Sequence, residues 1–294
     1  IGYHVFPAGA IALVVSRLIG CRAGFQVTSG PLELEGGGWH AENRLLTALG
    51  APSEVVERSV HRMIQEFELI VVRGNRAERY VRATGYGGHL ACITGSVDLP
   101  QELTSLERRP IDIVFVGRLT EYKRPDRLIE VLGMLKGLRP DFSAVIIGDG
   151  PDASLLKDRA EKLGIDSNIR WLGKSDSVQS MLEKSKIFIL TSRWEGVSIA
   201  MLEAMANGCV PVVPDIGDLS DFVRTGETGF ILPEDELEEF ANSINNLLSD
   251  RSLWQILSDA AYAEVENRAG KKAVSSLWQI AISSVLKPKS GNGS

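Results

Sequence analysis

Residues 187–213 read IFILTSRWEGVSIAMLEAMANGCVPVV and place a strand, a loop, a helix and a second strand in close succession. The apolar run 187–191 predicts a buried strand, the spacing over 199–207 predicts a helix, and 210–213 predict the next strand. Two glutamates, Glu195 and Glu203, lie in the loop and in the helix. Unbroken apolar strands that alternate with helices are typical of a parallel sheet covered on both faces.

The same alternation extends along most of the chain. Strands are predicted at 24–28, 69–72, 90–94, 111–116, 143–147, 169–172, 187–191, 210–213 and 229–232, and helices include 126–138, 153–163, 178–184 and 199–207. The fold class is therefore α/β, with two Rossmann-like, doubly wound domains and ligands expected at the carboxyl ends of the strands.

A polar segment bounded by prolines, 100–110, has no strand pattern and is predicted to link the two domains. We place the first domain at 1–105, the second at 106–268, and a final helix with its tail at 269–294. The last residues, KPKSGNGS, are expected to be disordered.

Composition excludes several classes of protein. The 294-residue chain carries a net charge of −6, whereas a nucleic-acid binder would normally present a basic face. Cys21, Cys92 and Cys209 have neither disulfide-framework nor zinc-site spacing, which favours a reducing, cytoplasmic location. The longest apolar run, 8–19, is shorter than the roughly 20 residues that span a bilayer, and no basic segment before it marks a signal peptide.

Two cations follow the strand 111–116. Gly117 and Arg118 come directly after the strand, Lys123 lies in the loop, and Pro125 occupies the predicted first helical turn. Cations beside free N–H groups of a helix N-terminus suit a diphosphate. The alternative is that both side chains are ordinary surface cations.

A second loop, with Gly148, Asp149 and Gly150, follows the next predicted strand. Glycines without a Cβ permit the backbone to approach a flat ligand closely. A plain tight turn explains the same residues equally well.

The two glutamates are predicted to bind hydroxyl groups of the ligand rather than its phosphates, because carboxylates repel phosphate. Glu203 could bond both oxygens of a vicinal diol such as a ribose, and Glu195 the hydroxyls of a second sugar. The alternative, that Glu203 pairs with a cation on a solvated helix face, is disfavoured by its apolar neighbours Met201 and Leu202. Diol, diphosphate and second sugar together describe a nucleotide sugar.

At this point the chain resembles a known family. Its motifs GRLTEYKRPDRLIEVL, IGDGP, IRWLG, EGVSIAMLEAMANGCVPVV and DIGDLSDFVRTGETGFIL, in that order, are similar to the second half of a retaining glycosyltransferase of the GT-B fold, family 4 (glycosyl transferases group 1). The likeness covers about residues 111–250. It implies that 106–268 form the nucleotide-sugar-binding domain, that 1–105 form the acceptor side, and that the last helix, 274–286, returns to the first domain.

The resemblance assigns roles residue by residue. It implies catalytic roles for Glu195, Arg118 and Lys123, with the two cations on the donor diphosphate and Glu195 and Glu203 as the family's E-x7-E pair. The donor-binding residues that it implies are Gly117, Gly148, Asp149, Gly150, Leu172, Gly196, Val197, Ser198, Ile199 and Glu203.

The first domain resembles the family through residues 3–35 and CITGSVD (92–98), with two departures. The family's first strand and glycine-rich loop do not precede Ile1, so we expect either a truncated domain or a family member with a changed acceptor site. Where the family often has a histidine, this chain has Thr28 and Ser29, while His4 partly matches an upstream family histidine. His4, Thr28 and Ser29 are therefore the candidates for the acceptor side.

Three function classes follow. The first is a glycosyltransferase of the hexosyltransferase class, which moves a sugar from a nucleotide-diphosphate donor to a saccharide or lipid-linked acceptor with retention of anomeric configuration. The alternatives are a nucleotide-sugar epimerase of similar architecture and a non-catalytic nucleotide-sugar-binding fragment. The sequence contains no Asp-x-Asp pair to bind a divalent ion, so we expect neither a metal nor a further cofactor.

Arginines recur at 73, 76, 79 and 82, around a predicted helix over 75–83. Such a series is typical of a solvated face. It also suits anionic lipid headgroups or a phosphorylated acceptor, which would bring the protein to the membrane periphery.

Overall fold

The computed structural model describes residues 1–28 and 54–286, which form two compact units. Of these residues, the first unit contains 1–28, 54–95 and 271–286, and the second contains 96–270. These divisions fall about ten residues before the predicted first boundary and two residues after the predicted second one. Ser29 and the tail 287–294 lie outside the described residues.

The first unit is built on a parallel sheet in the order β1-β2-β3-β4. Its strands are β1 (Gly2–Tyr3), β2 (Gly24–Gln26), β3 (Leu69–Val72) and β4 (His89–Cys92). Its described helices are α1 (Ala10–Ile19), which follows a π-helical turn at Val5–Gly9, then α2 (Glu54–Ile64), α3 (Asn75–Ala83) and α10 (Lys271–Leu286).

Strand β3 shows why this sheet is buried on both faces. Its residues alternate in direction, as the two-residue period of a strand requires. Ile70 and Val72 pack into a cluster with Phe25 and Phe67, whereas Leu69 and Val71 pack into another with α10. The last helix therefore covers one face of the first unit's sheet, through side chains that include Val274, Ala281 and Val285.

The second unit contains a six-stranded parallel sheet in the order β10-β9-β8-β5-β6-β7. Its strands are β5 (Ile111–Val116), β6 (Ala144–Ile147), β7 (Ile169–Gly173), β8 (Ser185–Ile189), β9 (Val210–Pro214) and β10 (Phe230–Leu232). Its helices are α4 (Pro125–Leu138), α5 (Ala153–Lys162), α6 (Val178–Leu182), α7 (Ile199–Ala206), α8 (Leu237–Ser249) and α9 (Arg251–Ala269). Counted within the unit, this is the 3-2-1-4-5-6 order of the Rossmann fold.

The polar segment 100–110 is not a free linker, because it belongs to the second unit. Arg109 is 2% exposed, and its guanidinium donates to the carbonyls of Thr104 at 2.9 Å, Ser185 at 2.6 Å and Asn207 at 2.6 Å. A buried guanidinium is tolerated only where such acceptors satisfy it. The Arg109 side chain therefore anchors the segment to the second unit.

The arginine series lies on and beside α3. Arg82 forms an ion pair with Glu78 one turn earlier, at 2.6 Å, and Arg79 is exposed. Among the helices of the described residues, none combines the length and the apolar character that crossing a bilayer requires. Contact with a membrane surface stays a prediction.

Replacing Arg109 by methionine should lower the free energy of unfolding by about 3 kcal/mol or more, because it leaves buried carbonyl oxygens without donors. Urea denaturation followed by tryptophan fluorescence measures the effect, since Trp254 lies 5.4 Å from the guanidinium. The matched control is Arg108→Met at the exposed neighbouring position, which should change stability by no more than about 0.5 kcal/mol. Equal stability of the two variants would contradict the anchoring role.

Candidate active site

The candidate residues of the second unit gather where the strand order reverses. Strands β5 and β8 are hydrogen-bonded neighbours at the centre of the sheet, and the connections after them leave in opposite directions. In doubly wound sheets, the crevice outside the carboxyl ends of such strands is the usual ligand site. Arg118 and Lys123 follow β5, and Glu195 follows β8.

The two loops at this crevice are tied together along their length. The Thr191 hydroxyl donates to the Arg124 carbonyl at 2.9 Å, and the Arg193 amide donates to the Tyr122 carbonyl at 2.8 Å. The rings of Tyr122 and Trp194 lie 5.3 Å apart between centroids. These contacts fix the backbones from which the charged side chains project.

Lys123 and Glu195 form an ion pair at the crevice. Lys123 Nζ lies 2.6 Å from Glu195 Oε1, with the two side chains 22% and 9% exposed. The Ser192 hydroxyl donates to the same carboxylate oxygen at 2.6 Å. The cation predicted to bind phosphate and the carboxylate predicted to bind sugar are thus held against each other, in an environment where charge interactions are stronger than in water.

The glycine loop after β6 packs against the loop after β5. Gly148 has a φ of +142°, and a Cβ added to it would lie 1.8 Å from the Gly117 carbonyl oxygen. A Cβ on Gly150 would lie 2.0 Å from the Leu119 carbonyl oxygen, and the Leu119 amide donates to Asp149 at 2.9 Å. Close packing of one loop backbone on another, which neither sequence interpretation proposed, therefore requires glycine at both positions.

A third loop, which contains Gly217 and Asp218, packs against the backbone of Glu195 and Gly196. A Cβ on Gly217, whose φ is +53°, would lie 1.9 Å from the Glu195 carbonyl oxygen. The amide of Asp218 donates to the Gly196 carbonyl at 3.3 Å. Gly217 lies in the quoted motif DIGDLSD, but its residue type alone does not predict this supporting contact.

Helix α7 begins beside this loop and carries the second glutamate. The Ser198 side chain caps the helix by accepting from the Met201 amide at 3.4 Å. Glu203 is half-buried, and no ion pair among the described side chains includes it. Burial raises the pKa of Glu203, and the nearby charge of Asp98 raises it further. Asp98 was not singled out in the sequence, although it ends the quoted motif CITGSVD.

The remaining donor-side candidates lie at or beyond the carboxyl ends of strands of the same sheet. Arg118 and Asp149 are exposed, Val197 is buried, and Leu172, Gly196 and Ile199 are half-buried. In the parts of the chain that the structure describes, no three His, Cys, Asp or Glu side chains form a group that could hold a metal ion.

Two of the acceptor-side candidates meet in the first unit. His4 and Thr28 follow the neighbouring strands β1 and β2, and the Thr28 hydroxyl lies 2.9 Å from His4 Nδ1. His4 has a φ of +61°, a left-handed conformation that is uncommon for any residue other than glycine. The third candidate, Ser29, lies outside the described residues.

A family model, Glycosyl transferases group 1, matches residues 101–264. The lipopolysaccharide core biosynthesis mannosyltransferase LpsB of Rhizobium meliloti is 31% identical over 142 residues, which cover 46% of this chain and 40% of that protein. The UDP-Gal:alpha-D-GlcNAc-diphosphoundecaprenol alpha-1,3-galactosyltransferase of Escherichia coli is 29% identical over 162 residues, which cover 53% of this chain and 41% of that protein. The chain spans about half the length of the curated relatives it matches.

The crystal structure of HepE of Anabaena in complex with UDP superimposes with a TM-score of 0.78 at 18% identity, covering 94% of this chain and 76% of that one. At this identity the likeness establishes the fold alone. The predicted fold class, two parallel-sheet Rossmann-like domains of the GT-B type, is confirmed.

Replacing Glu203 by glutamine should stabilise the fold increasingly as the pH rises from the ordinary range of glutamate pKa values toward neutrality. The folded-state pKa of Glu203 lies above its unfolded value, so the wild type loses stability as the pH rises through the folded-state pKa. Glutamine does not ionise, so the variant does not have this loss. Thermal unfolding across that pH range, compared with Glu102→Gln at an exposed position, tests this. A difference between the two variants that does not change with pH would contradict a raised pKa.

Replacing Gly148 by alanine should destabilise the second unit by several kcal/mol, because the methyl group would overlap the Gly117 backbone. The control is Gly137→Ala in α4, where an added Cβ meets nothing within 4 Å. That change should stabilise the protein by about 0.5–1 kcal/mol through helix propensity. Chemical denaturation of both variants provides the measurement, and a tolerated Gly148→Ala would show that the loops can separate.

Proposed function

The chain belongs to the glycosyl transferases group 1 family, and from this premise we propose that it is a glycosyltransferase that uses a nucleotide-diphosphate sugar as donor. The observation that carries the proposal is the Lys123–Glu195 pair at the strand ends where the sheet order reverses. It presents a cation for phosphate and a carboxylate for sugar hydroxyls within one hydrogen-bond length.

The proposed chemistry is electrostatic. When the bond between the anomeric carbon and the diphosphate breaks, negative charge develops on the leaving oxygen. Lys123, Arg118 and the N–H groups that begin α7 stabilise that charge, as preorganised donors do in other group transfers. The acceptor hydroxyl then bonds to the anomeric carbon, and its proton passes to the leaving diphosphate oxygen. Retention of anomeric configuration and membership of family 4 belong to the same proposal, supported by the resemblance of Glu195 and Glu203 to the E-x7-E pair.

Glu203 is proposed to hold the ribose of the donor. It is half-buried, lies next to the negatively charged Asp98 and has no partner among the described ion pairs, so its carboxylate is available for the two hydroxyls of a diol. The raised pKa of Glu203 means that ionising this side chain costs free energy in the folded protein. A bound diol would offset that cost, because hydrogen bonds to the charged form favour ionisation.

The acceptor is proposed to be a saccharide or a lipid-linked saccharide. The names of the two relatives described above, a lipopolysaccharide core mannosyltransferase and a galactosyltransferase acting on a diphosphoundecaprenol-linked sugar, support this class. Both names are those of transferases, so the epimerase alternative is not favoured.

The donor site is proposed to work without a divalent ion, since Arg118 and Lys123 supply the positive charge. Calorimetric titration with UDP in the presence of a chelator should give the same affinity as titration with added magnesium. UDP is the first probe because HepE was crystallised with it, and GDP is the second. Loss of binding in chelator would overturn the metal-independent site.

The same titration tests the residues. Glu203→Ala should weaken UDP binding by about 1.5–3 kcal/mol, the range for a hydrogen bond to a charged group. Equal binding of UDP and 2′-deoxy-UDP by the wild type would contradict the ribose assignment. Arg118→Ala should lower turnover more than it lowers uridine binding, whereas Arg170→Ala, at an exposed position on β7, should change neither.

A further inference from the structure

Ser192 is a buried polar residue between strand β8 and the glutamate. It is fully buried, and its hydroxyl donates to Glu195 Oε1 at 2.6 Å. A buried hydroxyl without a partner would cost free energy, so this contact also satisfies the serine. The two residues are three apart, which makes the contact local to the loop.

Both donors to Glu195 bond to the same oxygen. Lys123 Nζ and the Ser192 hydroxyl each lie 2.6 Å from Oε1. Within the described ranges, no side chain or amide donates to the other oxygen, Oε2. Two donors on one oxygen restrict rotation of the carboxylate and leave Oε2 available to accept from a ligand.

A bound nucleotide sugar would affect Lys123 and Ser192, the two hydrogen-bond donors to Glu195, in different ways. A diphosphate carries more negative charge than a carboxylate and competes for the Lys123 ammonium, which sits on a flexible stem. It exerts no comparable attraction on a neutral, buried hydroxyl that has a short side chain and little freedom to turn away. The serine contact therefore persists when the lysine is drawn toward phosphate.

We propose that Ser192 is a positioning residue, which holds the Glu195 carboxylate toward the transferred sugar while Lys123 engages the diphosphate. This inference rests on the proposed function. It predicts that loss of the Ser192 hydroxyl weakens binding of the complete nucleotide sugar but not of the bare nucleotide. The reason is that the bare nucleotide has no sugar to contact Glu195.

The test compares nucleotide and nucleotide sugar on two serine variants. Calorimetry with UDP-glucose, UDP-galactose and GDP-mannose first identifies the donor that the wild type binds most tightly. Ser192→Ala should then bind that donor about tenfold more weakly and bind its bare nucleoside diphosphate unchanged. Ser192→Cys fills a similar volume with a weak donor, so it should resemble alanine rather than serine.

The matched control is Ser258→Ala. Ser258 is 1% exposed and donates to the Gly208 carbonyl at 2.7 Å, so its loss costs a buried hydrogen bond in the same unit, outside the loops at the crevice. This variant should lose stability but keep the wild-type ratio of the two affinities.

Three results would overturn the positioning role. They are an unchanged donor affinity in Ser192→Ala, an equal loss for donor and bare nucleotide, and wild-type behaviour of Ser192→Cys. Failure of the wild type to bind any of the three donors would instead overturn the proposed function, and the inference with it. The two failures are therefore distinguishable.

Discussion

The guanidinium of Arg109 connects the elements on which the candidate site depends. Its acceptors include Ser185, where β8 begins, and Asn207, directly after α7. The loop that carries Glu195 runs from the end of β8 to the start of α7, so the outer ends of both flanking elements bond to one side chain. Burial lowers the pKa of Arg109, because the charged guanidinium loses solvation by water, and these carbonyls take the place of that solvation.

Sequence periodicity predicted the strands well because parallel strands are buried on both faces. The run Ile111–Val116 has the bounds that its apolar residues predict, and α4 begins at Pro125, where proline is favoured. The two-residue strand Gly2–Tyr3 was missed because two residues cannot show a period. The sequence does not predict burial of Arg109, because a charged residue in a mostly polar segment indicates solvent exposure, and burial of a charge depends on carbonyls from distant segments.

The sequence predicts which residues reach the candidate site, but not the contacts between them. Residue type and position after a strand identified Lys123 and Glu195, because parallel strands bring their carboxyl ends to one edge. Their direct pairing, the bond from Ser192 and the support from Gly217 depend on loop conformation, which no periodic pattern encodes. The two glutamates also differ in their surroundings: Glu195 faces a cation, whereas Glu203 lies near the like charge of Asp98.

The division of the chain has a consequence for synthesis on the ribosome. The second unit is continuous, 96–270, so all its strands and helices emerge in one uninterrupted stretch. The first unit begins earlier, but Leu69 and Val71 on one face of its sheet pack against Val274, Ala281 and Val285 of α10. That face stays open to water until the last helix has left the exit tunnel. The domain translated second is therefore the first that can complete its core, in contrast to the N-terminal-first order usual for multidomain chains.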